Sequence, residues 1–285
     1  MSFAKQNHDI FLCILGISWF WMLGTALVAQ MPSLAKDILN GNETLFTFLL
    51  TLFSCGIGLG SLLCQFLVKG EITSKYVPIS ALLMTVFLAD LAFATSGYSA
   101  SFYSVNYIEF LKTFAGKRIA FDLLGFAVCG GLYVVPLNAM LQFLAGKETR
   151  SRVIAANNII NSLFMVLGSG ACALLLAIKF TIPAVFGIIA FVNALAALYI
   201  CLLLPHHIIR MIMTRILNFV YGVKVNGIEN FKNLKGNALI IANHTSFLDA
   251  VLLWVYMPTN LYFAIDTHVS QKWWVKPFLH LVKYF

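Results

Sequence analysis

LFTFLLTLFSCGIGLGSLLCQFLV, residues Leu45–Val68, contains no charged side chain. A helix rises about 1.5 Å per residue and a bilayer core is about 30 Å thick, so roughly 20 apolar residues cross it. This run is long enough. In hydrocarbon every backbone N–H and C=O needs an internal partner, and a helix supplies one for each. The stretch therefore predicts a membrane-spanning helix. Five more runs of the same kind lie near Ile10–Met31, Tyr76–Ser96, Phe121–Leu144, Val153–Ile178 and Ile182–Leu204. The first of them is no signal peptide, being too long in its apolar part and lacking a small-residue cleavage site.

Composition agrees with this reading. Of 285 residues, 60% are hydrophobic and 11% charged. Soluble domains run at about 45–50% and about 25%. A disordered chain would need the opposite balance, and a soluble enzyme made of this chain alone is excluded on the same ground. The fold class expected is an α-helical polytopic membrane protein.

Short polar turns join the runs, among them Asn40-Gly41-Asn42, Lys69-Gly70-Glu71 and Gly146-Lys147-Glu148. One longer connection, residues 97–120, is rich in Tyr, Phe and Ser and reads as an interfacial segment. Lys and Arg number eight on the side of the N-terminus and five on the other, which places both termini in the cytoplasm. Gly56-x-x-x-Gly60 has the spacing of close helix packing. As a dinucleotide fingerprint it fails, because no strand precedes it. The six cysteines lie in apolar runs without CxxC or zinc spacing, so neither a disulfide framework nor a metal site is expected.

Polar residues inside the spans are few. Asp90 lies deep in its span, and Asp122 lies near the start of the next, within reach of the interface. An intramembrane carboxylate lines a path or answers a structural partner; both readings of Asp90 stay open. Asn157, Asn158 and Asn161 open the fifth span, either as polar glue between helices or as the lining of a headgroup path.

The composition changes near Pro205. Residues 206–285 carry eight Lys and Arg against three Asp and Glu, and five of the six histidines. A basic excess beside a membrane favours anionic headgroups; no feature points to nucleic acid. His207, Arg210, Thr214 and Asn218 draw a polar stripe along residues 206–221, as in a helix lying in the interface with its arginines at the headgroups. Ala238–Ala242 then reads as a buried strand running into Asn243-His244-Thr245-Ser246-Phe247-Leu248-Asp249 and a helical run, Ala250–Tyr256. Leu261–Ile265 reads as a second strand and Val269–Tyr284 as an amphipathic helix with tryptophans at an interface. Asp249 can orient His244 by accepting a proton from one ring nitrogen. The other nitrogen then serves as a base toward a hydroxyl. Alone, a His-x4-Asp spacing is a common coincidence. Here an apolar strand, the Asn before the His, Ser-Phe-Leu before the Asp and a preceding membrane helix all coincide with it.

In these residues the sequence resembles the glycerolipid acyltransferases, whose first motif is Asn-His-x4-Asp. The resemblance implies that His244 is the catalytic base, supported by Asp249, with Asn243 and Ser246 beside the substrate and no cofactor or metal. Residues 222–285 are most similar to the start of the acyltransferase domain of the 2-acylglycerophosphoethanolamine acyltransferase/acyl-ACP synthetase type. Pro258-Thr-Asn-Leu-Tyr-Phe-Ala-Ile and Ser270-Gln-Lys-Trp-Trp274 carry that likeness. In that branch the acyltransferase often follows a lysophospholipid transporter of the major facilitator superfamily. Residues 10–204 resemble the second half of one, through Arg152-Val-Ile-Ala-Ala-Asn-Asn158 and Ile17-Ser-Trp-Phe-Trp21.

The resemblance implies three parts: a six-helix half of a facilitator-type bundle at 1–205, an interfacial helix at 206–221, and the start of an α/β glycerolipid acyltransferase domain at 222–285. It implies lysophospholipid transport across a bacterial inner membrane followed by reacylation from acyl-ACP or acyl-CoA. Asp90, Asn157, Asn158 and Asn161 become candidates for substrate contact on that path. Facilitators have twelve spans, and the acyltransferase family carries Phe-Pro-Glu-Gly and Arg motifs beyond the His-x4-Asp. The chain thus reads as the middle of a longer fusion, with a missing N-terminal transporter half as its expected partner. Two rivals remain: a transporter with an inactive acyltransferase remnant, and a 1-acylglycerol-3-phosphate acyltransferase whose helices only anchor it.

Overall fold

The computed structural model describes residues 8–68, 70, 72–99, 103–203, 205–232, 238–243, 246, 248–257, 261–273, 275–279 and 283–284. The chain divides into two compact units, Met1–Leu202 and Leu203–Phe285. Six helices among the described residues are long and apolar enough to cross a membrane. They are α1 (His8–Ser33), α2 (Glu43–Val68), α3 (Val77–Ser96), α5 (Phe114–Leu144), α6 (Arg150–Ala177) and α7 (Ile182–Leu203), with a short α4 (Tyr107–Lys112) before α5. Pro32 removes a donor near the end of α1, and the helix widens there into one π turn, Leu34–Ile38.

The first unit is apolar inside and out. Phe20, Leu27, Leu45, Leu88, Phe126 and Phe186 are buried between helices, while Phe66, Phe93, Val166 and Leu202 stand exposed on the outside. A bundle in water hides such side chains; a bundle in lipid has no reason to. Shape and polar bonds therefore hold the helices together. The Gly56-x-x-x-Gly60 spacing acts as expected: a Cβ at Gly60 would strike the Val128 carbonyl of α5, and one at Gly131 would lie 2.6 Å from the Ile57 carbonyl. The two backbones touch, and only glycine permits it. Asn193 of α7 adds polar bonds. Its Oδ1 accepts from Trp19 Nε1 at 2.9 Å, and its Nδ2 donates to Thr85 Oγ1 at 2.9 Å and to the Ala81 carbonyl at 3.2 Å. One amide thus joins α1, α3 and α7.

The connection at 97–120 is more ordered than expected. Asn106 caps α4 by accepting from the backbone N–H of Ile108 and Glu109, and Glu109 accepts from the Asn106 N–H in return. Thr113 then caps α5 through the Gly116 N–H at 2.9 Å. The fourth span consequently begins at Phe114 rather than Phe121, and Lys117 and Arg118 lie inside a helix. Asp122, in the third turn of α5, is 2% exposed.

The second unit contains α8 (Pro205–Tyr221), α9 (Ile228–Lys232), α10 (Leu248–Tyr256), β1 (Tyr262–Phe263), α11 (Thr267–Ser270), α12 (Lys276–Leu279) and β2 (Lys283–Tyr284). Leu217, Trp254, Val255, Val275 and Leu279 form its small core. Two expectations fail here. Residues 238–242 form no strand, and Leu239 and Ile241 are each 87% exposed. A strand needs a neighbour; among the described residues the single ladder is the parallel pair β1–β2. The helix expected over Val269–Tyr284 is broken into α11, α12 and β2. Pro277 lacks an N–H and is tolerated only in the first turn of a helix, which is where it stands in α12.

The contact between α2 and α5 generates a paired prediction. Gly60→Ala should destabilise the first unit by about 1–3 kcal/mol through forced separation of two backbones. Gly58→Ala, with nothing within 4 Å of its Cβ, should be neutral. Thermal midpoints in detergent measure both, and equal losses would remove the packing account.

Candidate functional site

Unit 2 carries the residues of the Asn-His-x4-Asp motif. The structure describes Asn243, Ser246 and Asp249; His244 lies outside the described residues, as do Thr245 and Phe247. Asp249 sits in the first turn of α10, where a carboxylate faces the positive end of the helix dipole. Its Oδ2 accepts from the Ser246 N–H at 2.8 Å, and the Ser246 hydroxyl accepts from the Leu248 N–H at 3.1 Å. The Asp249 N–H closes the turn on the Ser246 carbonyl at 3.0 Å. These bonds satisfy amides that a helix start leaves open. They also fix Asp249 against the segment that leads out of His244. Asn243 is exposed.

The far end of α10 is fixed as well. Arg210 of α8 donates through Nε to the Val255 carbonyl at 2.9 Å and through Nη2 to the Met257 carbonyl. Tyr256 donates its phenol proton to Asn218 Oδ1 at 2.5 Å. Two members of the polar stripe on α8 therefore grip α10, and Arg210 is half-buried instead of lying at headgroups. Burial draws its guanidinium below the ordinary arginine value; carbonyls at the negative end of a helix offset that cost. The opposite side of α8 exposes Ile212, Ile216, Phe219 and Val220. This spacing is a second, outward apolar stripe, suited to lipid.

The membrane candidates all lie on spans of unit 1. Asp90 of α3 receives Arg118 of α5 through two bonds, Nε to Oδ2 at 2.9 Å and Nη2 to Oδ1. This is a bidentate clasp between two spans. Asp122, one turn beyond Arg118, has a buried Oδ2 with no hydrogen-bond partner among the described residues. Asn161 accepts from the buried Ser18 hydroxyl at 2.7 Å and so joins α6 to α1. Asn157 is buried with Oδ1 unpartnered among the described residues, whereas Asn158 is exposed. The structure thus gives Asp90 and Asn161 partners and brings neither to Asn158. Sequence reasoning missed Arg118, Asn193 and Tyr256. For Arg118 a signal existed: a lone arginine beside the span that follows a lone acid.

With this geometry in hand, the comparison with known families is specific. Residues 222–285 match the family model described as acyltransferase. No solved structure matches the chain. The chain carries an acyltransferase-type domain behind six helices fit to cross a membrane, and acyl transfer to a lipid acceptor is the general chemistry such a domain supports.

Two outcomes follow from the bonds above. Arg210→Ala should destabilise the second unit by about 1–2 kcal/mol, since two carbonyls lose a charged donor, while Arg215→Ala, exposed on the same helix, should change it by less than about 0.5 kcal/mol. Urea titration followed at Trp254 distinguishes them. In the membrane unit, Asp90→Asn should lower folded yield by stranding Arg118, and adding Arg118→Gln should restore part of it. A double variant worse than either single one would mean that the pair is no clasp.

Proposed function

We propose that this chain belongs to a membrane-bound O-acyltransferase that reacylates a lysophospholipid delivered by its transporter-like helices. The observation that carries the reading is the acyltransferase match over 222–285, a range that contains the Asn243-His244-x4-Asp249 sequence. In the proposed reaction His244 takes the proton of a glycerol hydroxyl. The oxygen attacks the thioester carbonyl of acyl-ACP or acyl-CoA, a C–O bond forms, and collapse of the tetrahedral species breaks the C–S bond. The proton passes from His244 to the departing thiolate. Asp249, pinned by the Ser246 N–H, holds the imidazole tautomer and steadies its charged form. Neither metal nor cofactor enters these steps.

Transport is the second half of the proposal, with 1–205 as the transporter part, 206–221 as the link and 222–285 as the start of the acyltransferase. Small-residue helix contacts, the Asp90–Arg118 clasp and the buried polar groups on α5 and α6 support more than an anchor, for which one or two spans suffice. In this reading both termini are cytoplasmic, the membrane is a bacterial inner membrane, and the turn at Asn40 faces the opposite side. The bundle is proposed to be a facilitator-type half.

His244→Ala should reduce transfer of radiolabelled acyl groups to lysophosphatidylethanolamine by about 10²–10⁴-fold, the usual contribution of a general base. Asp249→Asn should reduce it strongly too, by favouring the wrong tautomer. Lysolipid uptake by the same membranes should be unchanged. Wild-type transfer in His244→Ala would overturn the acyltransferase reading.

A further inference from the structure

Two carboxyls and one guanidinium meet between α3 and α5. Arg118 donates through Nε to Asp90 Oδ2 at 2.9 Å and through Nη2 to Asp90 Oδ1. Both oxygens of Asp90 are engaged by the cation, which marks Asp90 as the ionised carboxyl. Asp122 lies one turn beyond Arg118 on the same helix. It is buried, and its Oδ2 has no hydrogen-bond partner among the described residues. Its carboxyl nevertheless lies within hydrogen-bonding reach of the Asp90 carboxyl. Two ionised carboxylates are acceptors only, and at that range they repel. The contact becomes a hydrogen bond when one of the two keeps its proton. Asp122, buried and in no ion pair among the described residues, is the one that keeps it.

Charge balance points the same way. With both carboxyls ionised the cluster carries an uncompensated negative charge in a membrane-spanning region, where charge is costly. With one proton bound it is neutral. The charges that act on Asp122 come from Asp90, the sole charged residue of α3, and from Arg118. Other charged or titrating residues on the helices around α5 stand in terminal turns: His8 and Asp9 on α1, Glu43 on α2, Glu109 and Lys112 on α4, Arg150 and Arg152 on α6. Lys117, beside Arg118, is exposed.

The same geometry holds a second arrangement. Loss of the proton sets two carboxylates against one guanidinium. Arg118 and Asp122 are i and i+4 on α5, a spacing at which side chains meet. The guanidinium can therefore leave Asp90 for Asp122 without leaving its own helix. The Arg118 and Asp90 side chains are 41% and 37% exposed, so the cluster is open on one side to proton exchange.

We propose that Asp122 is a proton-binding site and that its proton locks α3 to α5. Bound, it leaves Arg118 clasped on Asp90. Released, it makes Asp122 a competitor that draws Arg118 back onto α5 and frees α3. The two states differ in the partner of one cation, which is what a protonation switch requires. The site stands apart from the lysophospholipid reading and needs no substrate.

The test uses the full chain in nanodiscs. Infrared spectra at neutral pH should show the C=O stretch of a protonated carboxylic acid. Isotopic labelling of aspartate carboxyls should shift it, and alkaline pH should remove it reversibly. Asp122→Asn should abolish the band. Asparagine has the shape of the neutral acid and donates to Asp90 as the acid does, so this variant should fold with the clasp closed. The folded chain holds a proton that the unfolded chain gives up, so stability falls as pH rises toward the release of that proton. Between weakly acidic and alkaline pH the wild-type thermal midpoint should therefore drop by roughly 3–6 °C more than that of Asp122→Asn, the size of a tenfold change in the folding equilibrium. A wild-type spectrum with no protonated-aspartate band, a band that survives Asp122→Asn, or a midpoint with the same pH dependence in both proteins would overturn the proposal. If Asp122→Asn gives no folded protein, the labelled wild-type titration decides: a band lost together with the midpoint supports the site, and a missing band overturns it.

Discussion

In hydrocarbon a peptide group has no water to fall back on. Each of the six long helices answers that constraint within itself, and the consequences run through unit 1. Once the backbone is satisfied, the outside of the bundle is free to be as apolar as the inside, and burial of apolar surface no longer drives helix against helix. Association then depends on how closely backbones approach and on the few polar side chains that find partners. The contact of Gly60 with the Val128 carbonyl and of Gly131 with the Ile57 carbonyl meets the first need. Asn193, Ser18–Asn161 and Asp90–Arg118 meet the second.

The second unit solves a different problem with little material. Among the described residues its core is Leu217, Trp254, Val255, Val275 and Leu279, and polar bonds from α8 complete it. Arg210 and Asn218 hold the C-terminal end of α10, while Ser246 and Asp249 hold its beginning. A helix tied at both ends keeps the Asp249 carboxylate in a fixed place. The same α8 turns apolar side chains outward, so one helix serves a protein core on one face and offers lipid-compatible surface on the other.

The start of α2 shows how the membrane environment shapes a helix face. Threonines in an apolar helix return their protons to backbone carbonyls because no water is there to take them. That local economy turns a helix face into a row of acceptors.

Much of this was legible in the sequence. The six spans follow from run length against bilayer thickness, and the close-packing role of Gly56-x-x-x-Gly60 from spacing. The acyltransferase motif was legible because its residues are contiguous. Errors arose where the local signal met a non-local decision. Residues 238–242 are apolar enough for a strand, yet a strand exists only beside another. The stripe on α8 looked like a headgroup contact because periodicity reports that a face is polar without saying what it meets. Arg118 looked like a loop charge until Thr113 began the helix seven residues earlier than expected. Sequence by itself thus determined what depends on length, composition and neighbours along the chain: the membrane class, the six apolar spans and the change of composition near Pro205. Tertiary structure decided the partners, because a hydrogen bond from Arg118 to Asp90 or a ring stack of Phe48 on Tyr107 joins residues whose proximity no local pattern encodes.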